Sequence, residues 1–204
     1  MNSSYKTIID NKNIFKIGKS PLKANSSIEV YGYNNTVEIG DNVKGTILIN
    51  IIGNDSKVLI EDDVNIMGSL NIVARRGKST VVIGKGSSFM GLVRLFNHEP
   101  SSIKIGADCM FAGDILMTTS DMHPIYDADN IRINPPSPIA IGEHVWVGVG
   151  VKLLKGVSIG SGSIVGMASL VTKGTYPEKC IIVGSPAKIV KENVRWDRNF
   201  PPLP

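Results

Sequence analysis

The chain has 204 residues, enough for one domain or two small ones. Its 42% hydrophobic and 20% charged residues suit a soluble globular protein, while only 6% aromatics beside 21 glycines exclude a thick aromatic core and favour a thin, repetitive β architecture. A mild formal charge of +4, with basic residues scattered apart from Arg75-Arg76-Gly77-Lys78, excludes nucleic acid as the obvious partner and leaves room for an anionic substrate.

The opening Met1-Asn2-Ser3-Ser4-Tyr5-Lys6 has no apolar run suited to a secretory signal. No later stretch reaches the ~18 consecutive apolar residues of a membrane span. A cytoplasmic protein without a transmembrane segment is expected. Residues 1–27 show little pattern, and their short apolar groups predict a strand-like cap over the end of the main body.

From Ile28 a period becomes visible. Similar phrases begin at Ile39, Ile60, Ile83, Ile105, Ile141 and Ile159, at spacings of 21, 23, 22, 36 and 18. Inside each unit an apolar residue returns every six positions, most cleanly at Ile141, Val147, Leu153, Ile159, Val165 and Val171. Helical periodicity cannot produce a repeat of six. A hexapeptide repeat predicts an all-β, left-handed parallel β-helix over 28–174, with three hexapeptides per coil of a triangular prism. A smaller inward slot follows four residues after each large one, at Val64, Ser87, Cys109, Val145 and Ser163. Cys109 therefore reads as a buried thiol, and so does Cys180. Two cysteines are too few for a disulfide framework or a zinc site.

The spacings equal one 18-residue coil plus insertions of 3, 5, 4, 18 and 0 residues. Three of the insertions fall near 75–78, 97–101 and 120–138. Full coils return the chain to the same corner, so these loops should stack along one edge, bringing Arg75, Arg76, Asn97, His98 and His123 to one side. After Gly174 the period is expected to stop. Residues 175–204 then read as a strand at 180–184, a short helix capped by Ser185 with Pro186 as its first residue, and a proline-rich tail over 200–204.

Four segments resemble the hexapeptide-repeat acyltransferases. They are Ser120-Asp121-Met122-His123-Pro124-Ile125-Tyr126-Asp127, Gly142-Glu143-His144-Val145-Trp146-Val147-Gly148, Val171-Thr172-Lys173, and Gly184-Ser185-Pro186-Ala187-Lys188. The loop 123–134 and the ending 185–196 are further similar to bacterial polysialic acid capsule O-acetyltransferases. The resemblance implies acetyl-CoA as co-substrate and no metal. It also implies a homotrimer with active sites between subunits, and a sugar or polysaccharide acceptor, sialic acid or polysialic acid above all.

Transfer of acetyl to a hydroxyl needs a base that is neutral near the working pH, which a histidine supplies. The resemblance assigns that role to His123. Asp121, two residues away, could fix the tautomer of the imidazole, and a backbone carbonyl would serve equally. The resemblance places Trp146 beside the thioester and Val149, Met167, Thr172, Lys173 and Lys188 along the CoA groove. Met167 and Val149 stand where smaller or polar residues are usual. Arg75, Arg76 and Arg132 could grip an acidic sugar's carboxylate in bidentate fashion, with His98 lining the acceptor side. His144 reads as a polar turn residue. Acylation of an amino group or a neutral sugar is the alternative within this fold. A zinc hydratase of the carbonic anhydrase type would need close histidines, and His98, His123 and His144 are far apart in sequence. A non-catalytic or ice-binding β-helix would show threonine ladders in place of irregular loops.

Overall fold

The computed structural model describes residues 5–199. The chain is a left-handed parallel β-helix of about eight coils. The first face carries one strand per coil, from Ile14–Ile17 through Thr36–Ile39, Lys57–Ile60, Thr80–Ile83, Ser102–Ile105, Ile139–Ile141 and Val157–Ile159 to Gly174–Tyr176. The second face includes Ser88–Phe89, Met110–Phe111, Trp146–Val147 and Ile164–Val165. The third includes Leu92–Asn97, Ile115–Thr118, Lys152–Leu153 and Leu170–Val171. The long strand Asn65–Arg75 bends from the second face into the third and joins them in one sheet.

The register stacks like on like. Ile60, Ile83, Ile105, Ile141 and Ile159 form one buried column along the first face. On the second face Phe89 lies flat on Phe111, with ring centroids 4.9 Å apart and planes 5° from parallel. The small slot is equally regular: Ser87, Cys109, Val145, Ser163 and Cys180 are all buried. Its serines serve the next coil, because Ser87 Oγ accepts the Cys109 N–H at 3.0 Å and Ser163 Oγ accepts that of Cys180 at 3.2 Å. Burial pushes the Cys109 thiol up to about 11, and its Sγ donates to the Gly142 carbonyl. Both cysteines are free, buried fillers.

At the corner between the first and second faces each coil places one residue in the left-handed region. The series is Asn42, Asp63, Gly86, Asp108, His144, Gly162 and Lys179, with φ between 52° and 71°. Asn, Asp and Gly tolerate this conformation best. His144 holds the same turn position.

Two expectations about the end of the chain are corrected. The coil does not stop at Gly174. Gly174–Tyr176 pairs with Val157–Ile159 and Ile181–Gly184 pairs with Ile164–Val165, both in parallel, so Tyr176 stands where the column has isoleucine. The short C-terminal helix is absent. Ala187–Lys191 is a strand, antiparallel to Ile181–Gly184, and the cis Ser185-Pro186 peptide forms the two-residue turn between them. A Ser-Pro pair suits a tight turn as well as a helix start. In that strand Ile189 and Val190 are exposed, and their β-branched side chains favour the extended conformation. The tail over 200–204 lies outside the described residues. Among the described residues no helix is long and apolar enough to cross a membrane.

The flat Phe89–Phe111 stack joins two coils with both rings fully buried. Phe89→Ala should cost about 3–5 kcal/mol, read as a lowered urea midpoint at unchanged slope.

Candidate active site

The long interruption sits at the corner between the third and first faces. It is an ordered hairpin. Tyr126 and Arg132 form an antiparallel bridge, and the Ile133 N–H donates to the Ile125 carbonyl at 2.9 Å. Its tip is closed by Asp127, whose Oδ1 accepts the N–H groups of Asp129 and Ile131.

Two polar ties hold this hairpin to the prism. The first is Glu99, from the neighbouring insertion, which is only 5% exposed. It accepts both terminal nitrogens of Arg132 at 2.8 Å each, and Ser120 Oγ donates to it at 2.5 Å. The Arg132 guanidinium holds the Glu99 carboxyl down to about 2. The second tie is Asn134, 8% exposed. Its Oδ1 accepts the Ile125 N–H, while its Nδ2 donates to the His123 carbonyl and to Asp121 Oδ2, both at 2.9 Å. Lys155 Nζ completes the knot, at 2.5 Å from Asp121 Oδ2 and 3.1 Å from the Asn134 carbonyl.

These contacts revise two assignments. Arg132 does grip a carboxylate in bidentate fashion, but the carboxylate is Glu99, so its guanidinium is not free for a substrate. Asp121 does not hold the His123 imidazole; its carboxylate is held by Lys155 and Asn134, and Lys155 lowers its pKa. Asp121 meets His123 only through the backbone, where its carbonyl accepts the His123 N–H at 2.8 Å.

The three insertions do converge. Arg75, Arg76, His98, Met122, His123, Pro124 and Ile52 line a recess of about 460 Å³ along this edge. Arg75 Nη1 is shielded from solvent and, among the described residues, has no hydrogen-bond partner. Burial, and then the Arg75 charge, lower the pKa of His98. The His123 side chain is exposed and makes no hydrogen bond to the described residues.

The other predicted residues lie elsewhere. Trp146, 39% exposed, stands on the second face. With Ala112, Val149, Met167 and Gly166 it lines an apolar recess of about 330 Å³ at the corner between the second and third faces. Lys188 is exposed on the terminal hairpin, paired with Val183, which abuts the Gly166 backbone. Thr172 and Lys173 follow the third face, on the same corner as the His123 hairpin but further along the prism. A single chain thus brings together Arg75, Arg76, His98 and His123, and separately Trp146, Val149 and Met167. The two groups occupy different edges. His144 stacks on Trp196 and meets Asp108, so the three histidines do not converge. Among the described residues no three His, Cys, Asp or Glu side chains form a metal-binding group.

No family model matches the sequence. The chain is 38% identical over 190 residues to the polysialic acid O-acetyltransferase of Neisseria meningitidis, covering 92% of this chain and 87% of that protein. It belongs to the polysialic acid O-acetyltransferase branch of the hexapeptide-repeat acetyltransferases. The crystal structure of OatWY, a polysialic acid O-acetyltransferase, matches 97% of this acetyltransferase and 89% of its own chain, with a TM-score of 0.76 at 35% identity. That of NeuO, a polySia-specific acetyltransferase, matches 97% and 91%, with a TM-score of 0.67 at 33% identity.

Sequence reasoning found the edge of this acetyltransferase that gathers the insertions, but missed what fixes it. Glu99 stands beside His98 in an insertion already assigned to that corner, and its opposite charge to Arg132 was the available signal. Asn134 and Lys155 carried none, because their roles depend on how the hairpin folds back.

The Glu99 pKa, depressed from 4.5 to about 2, makes the tie pH-dependent in a definite direction. Its stabilisation is fully present above about 4.5 and is lost as the pH falls towards about 2. Hydrogen exchange across 120–138, corrected for intrinsic rates, should accelerate over that window. Glu99→Gln should show the faster exchange already at neutral pH.

Proposed function

We propose that this acetyltransferase moves the acetyl group of acetyl-CoA onto a hydroxyl of an acidic bacterial surface polysaccharide, with sialic acid or polysialic acid as the acceptor. The observation that carries the acceptor is the recess in which exposed His123 stands beside two guanidinium groups, those of Arg75 and Arg76. Two guanidinium groups on one recess favour an incoming carboxylate, which can take two parallel hydrogen bonds from either of them. The relatives from Neisseria meningitidis and Escherichia coli O1:K1, both named polysialic acid O-acetyltransferases, support the same acceptor.

In this reading His123 is the general base. Its neutral imidazole takes the proton of the acceptor hydroxyl as the oxygen attacks, then returns it to the departing sulfur. Acetyl-CoA supplies the activated acyl carbon as a thioester. One ester forms, one thioester breaks and no proton is left over. The Asn134 bond to the His123 carbonyl and the Glu99–Arg132 pair hold the backbone around the base, so little ordering is left for the moment of reaction. The apolar recess of Trp146, Val149 and Met167 suits the pantetheine arm. Lys188 is assigned to the outer end of that arm, and Thr172 and Lys173, on the corner of the His123 hairpin, are assigned to the same CoA from the second copy that completes the site.

The base and the thioester residues lie on different edges, so a site containing both takes them from two copies. A contact between two different edges generates a ring when its rotation closes, and the threefold shape of the prism suits a rotation that closes after three copies. Exposed apolar side chains on both edges support such contacts. They are Ile125, Tyr126, Ile131 and Ile133 on the hairpin, and Met67, Met90, Val149 and Met167 on the other edge. The working unit is therefore proposed to be a homotrimer. Acetyl-CoA as donor agrees with the cytoplasmic location proposed for it.

His123→Ala should lower kcat by about 10²–10⁴-fold while acetyl-CoA affinity and the sedimenting species stay unchanged. Near-normal turnover in that variant would remove the base assignment. Arg75→Ala should raise KM for a sialylated acceptor by about tenfold or more, the weight of a lost charge-assisted hydrogen bond, and leave KM for acetyl-CoA alone. Mass spectrometry of products from sialylated, neutral and amino-sugar glycans identifies the acceptor. Acetylation confined to neutral or amino sugars would overturn it.

A further inference from the structure

Beyond the terminal hairpin the chain folds back across the second face. Residues 192–199 form a strap with two anchors. Trp196 is 8% exposed, and its Nε1–H donates to the His144 carbonyl at 2.9 Å. The His144 ring lies flat against it, with centroids 4.1 Å apart and 11° between planes. That imidazole is itself fixed, because Nδ1 is 2.6 Å from Asp108 Oδ2 and Nε2 is 3.3 Å from the Trp196 carbonyl. Arg198 closes the other end. Its guanidinium donates to Asp108 Oδ1 at 2.8 Å, to Ser88 Oγ at 2.6 Å and to the Cys109 carbonyl at 3.2 Å. Through Ser88, Asp108 and His144 the strap is tied to three successive coils.

The strap reaches the proposed thioester residue. The Trp196 and Trp146 rings are 6.0 Å apart between centroids, tilted by 45°. Trp146 also joins Arg198, Met67, Met90 and Met110 around a second, larger apolar recess of about 550 Å³. Its indole therefore divides this recess from the one assigned to pantetheine. Along the face it lies between Met110 and Ile164, and at the corner between the second and third faces its neighbours include the small residues Ala112, Gly148 and Gly166. A partly exposed indole with small residues on its corner side can reach more than one rotamer unless something braces it. The aromatic ring resting on it is Trp196.

We propose that the strap is a wall of the thioester half-site, and that Trp196 is a positioning residue that sets the orientation of Trp146. The proposal rests on the acetyl-transfer reading above. Trp196 does not touch the reacting atoms. It acts by holding the indole that does, in the way rigid outer contacts support a binding residue. Arg198 and the His144–Asp108 pair act one step further out, as the latch that keeps Trp196 in place.

The chain has two tryptophans, and they are these two, so their contact can be read directly. Paired indoles at this separation give an exciton couplet in circular dichroism. Trp196→Phe removes the couplet but keeps a ring against Trp146. Trp196→Ala removes both. Arg198→Ala opens the latch without altering either ring. In Trp196→Ala the KM for acetyl-CoA should rise by about tenfold, the upper range for an aromatic contact, while the acceptor KM is unchanged. Arg198→Ala should weaken the couplet and move the same constant in the same direction. Trp196→Phe should restore it to within about threefold of the natural protein.

An unchanged acetyl-CoA KM in Arg198→Ala despite a lost couplet would overturn the proposal, even if Trp196→Ala fails to fold. So would an effect confined to the acceptor KM. Absence of both acetyl-CoA binding by calorimetry and turnover in the natural protein is a different result. It would overturn the acetyl-transfer reading and the strap's role with it.

Discussion

Everything in this molecule depends on the parallel ladder that links each coil to the next. A backbone N–H must meet the carbonyl of the coil beside it, and a buried polar group without a partner is costly. The chain can therefore leave the prism only where it returns to the same register. Corners permit that and faces do not. The 18-residue interruption obeys this rule: it leaves after Ile115–Thr118 and resumes at Ile139–Ile141, paired directly with Ser102–Ile105. Because the extra residues of successive coils emerge at one corner, functional side chains far apart in sequence become neighbours. The recess of Arg75, His98 and His123 is a consequence of register before it is a product of chemistry.

The same rule explains how much could be read in advance. Residues that obey the repeat were legible, since a column of isoleucines needs no partner outside itself. The small slot holding Cys109 and the turn position of His144 were legible for that reason. So was the edge on which the insertions meet. Legibility failed where the repeat changes its residue type or ends. Tyr176 continues a column of isoleucines, and its ring hid the last coil. Ser185-Pro186 satisfies the chemistry of two different local structures, and the strand edge beside it decided between them. Inside the long loop the decisive contacts are between side chains brought together by folding back. Neither Glu99 with Arg132 nor Asn134 with His123 has a spacing that announces it.

The site region divides its polar work. Buried Glu99 and Asn134 give rigidity and leave none of their bonding capacity facing the recess. Arg75 and Arg76 are the reverse, with their guanidinium groups lining the recess itself. His123 stands between the two kinds, with its backbone held and its ring free. Two guanidinium groups beside a free imidazole make such a place receptive to an anionic partner. The Trp146 edge is built on another principle, with apolar area and small backbone corners in place of charge.

The terminal hairpin has one further consequence. A parallel solenoid ends in an open row of backbone donors and acceptors, a template on which another molecule's coil could add. Here Ala187–Lys191 runs antiparallel to the last parallel strand and carries Lys188 and Lys191 on exposed positions. A chain arriving in the direction of the repeat finds the wrong polarity and a pair of charges. The turn at Ser185-Pro186 thus ends the coil and closes its second face to the addition of a parallel strand.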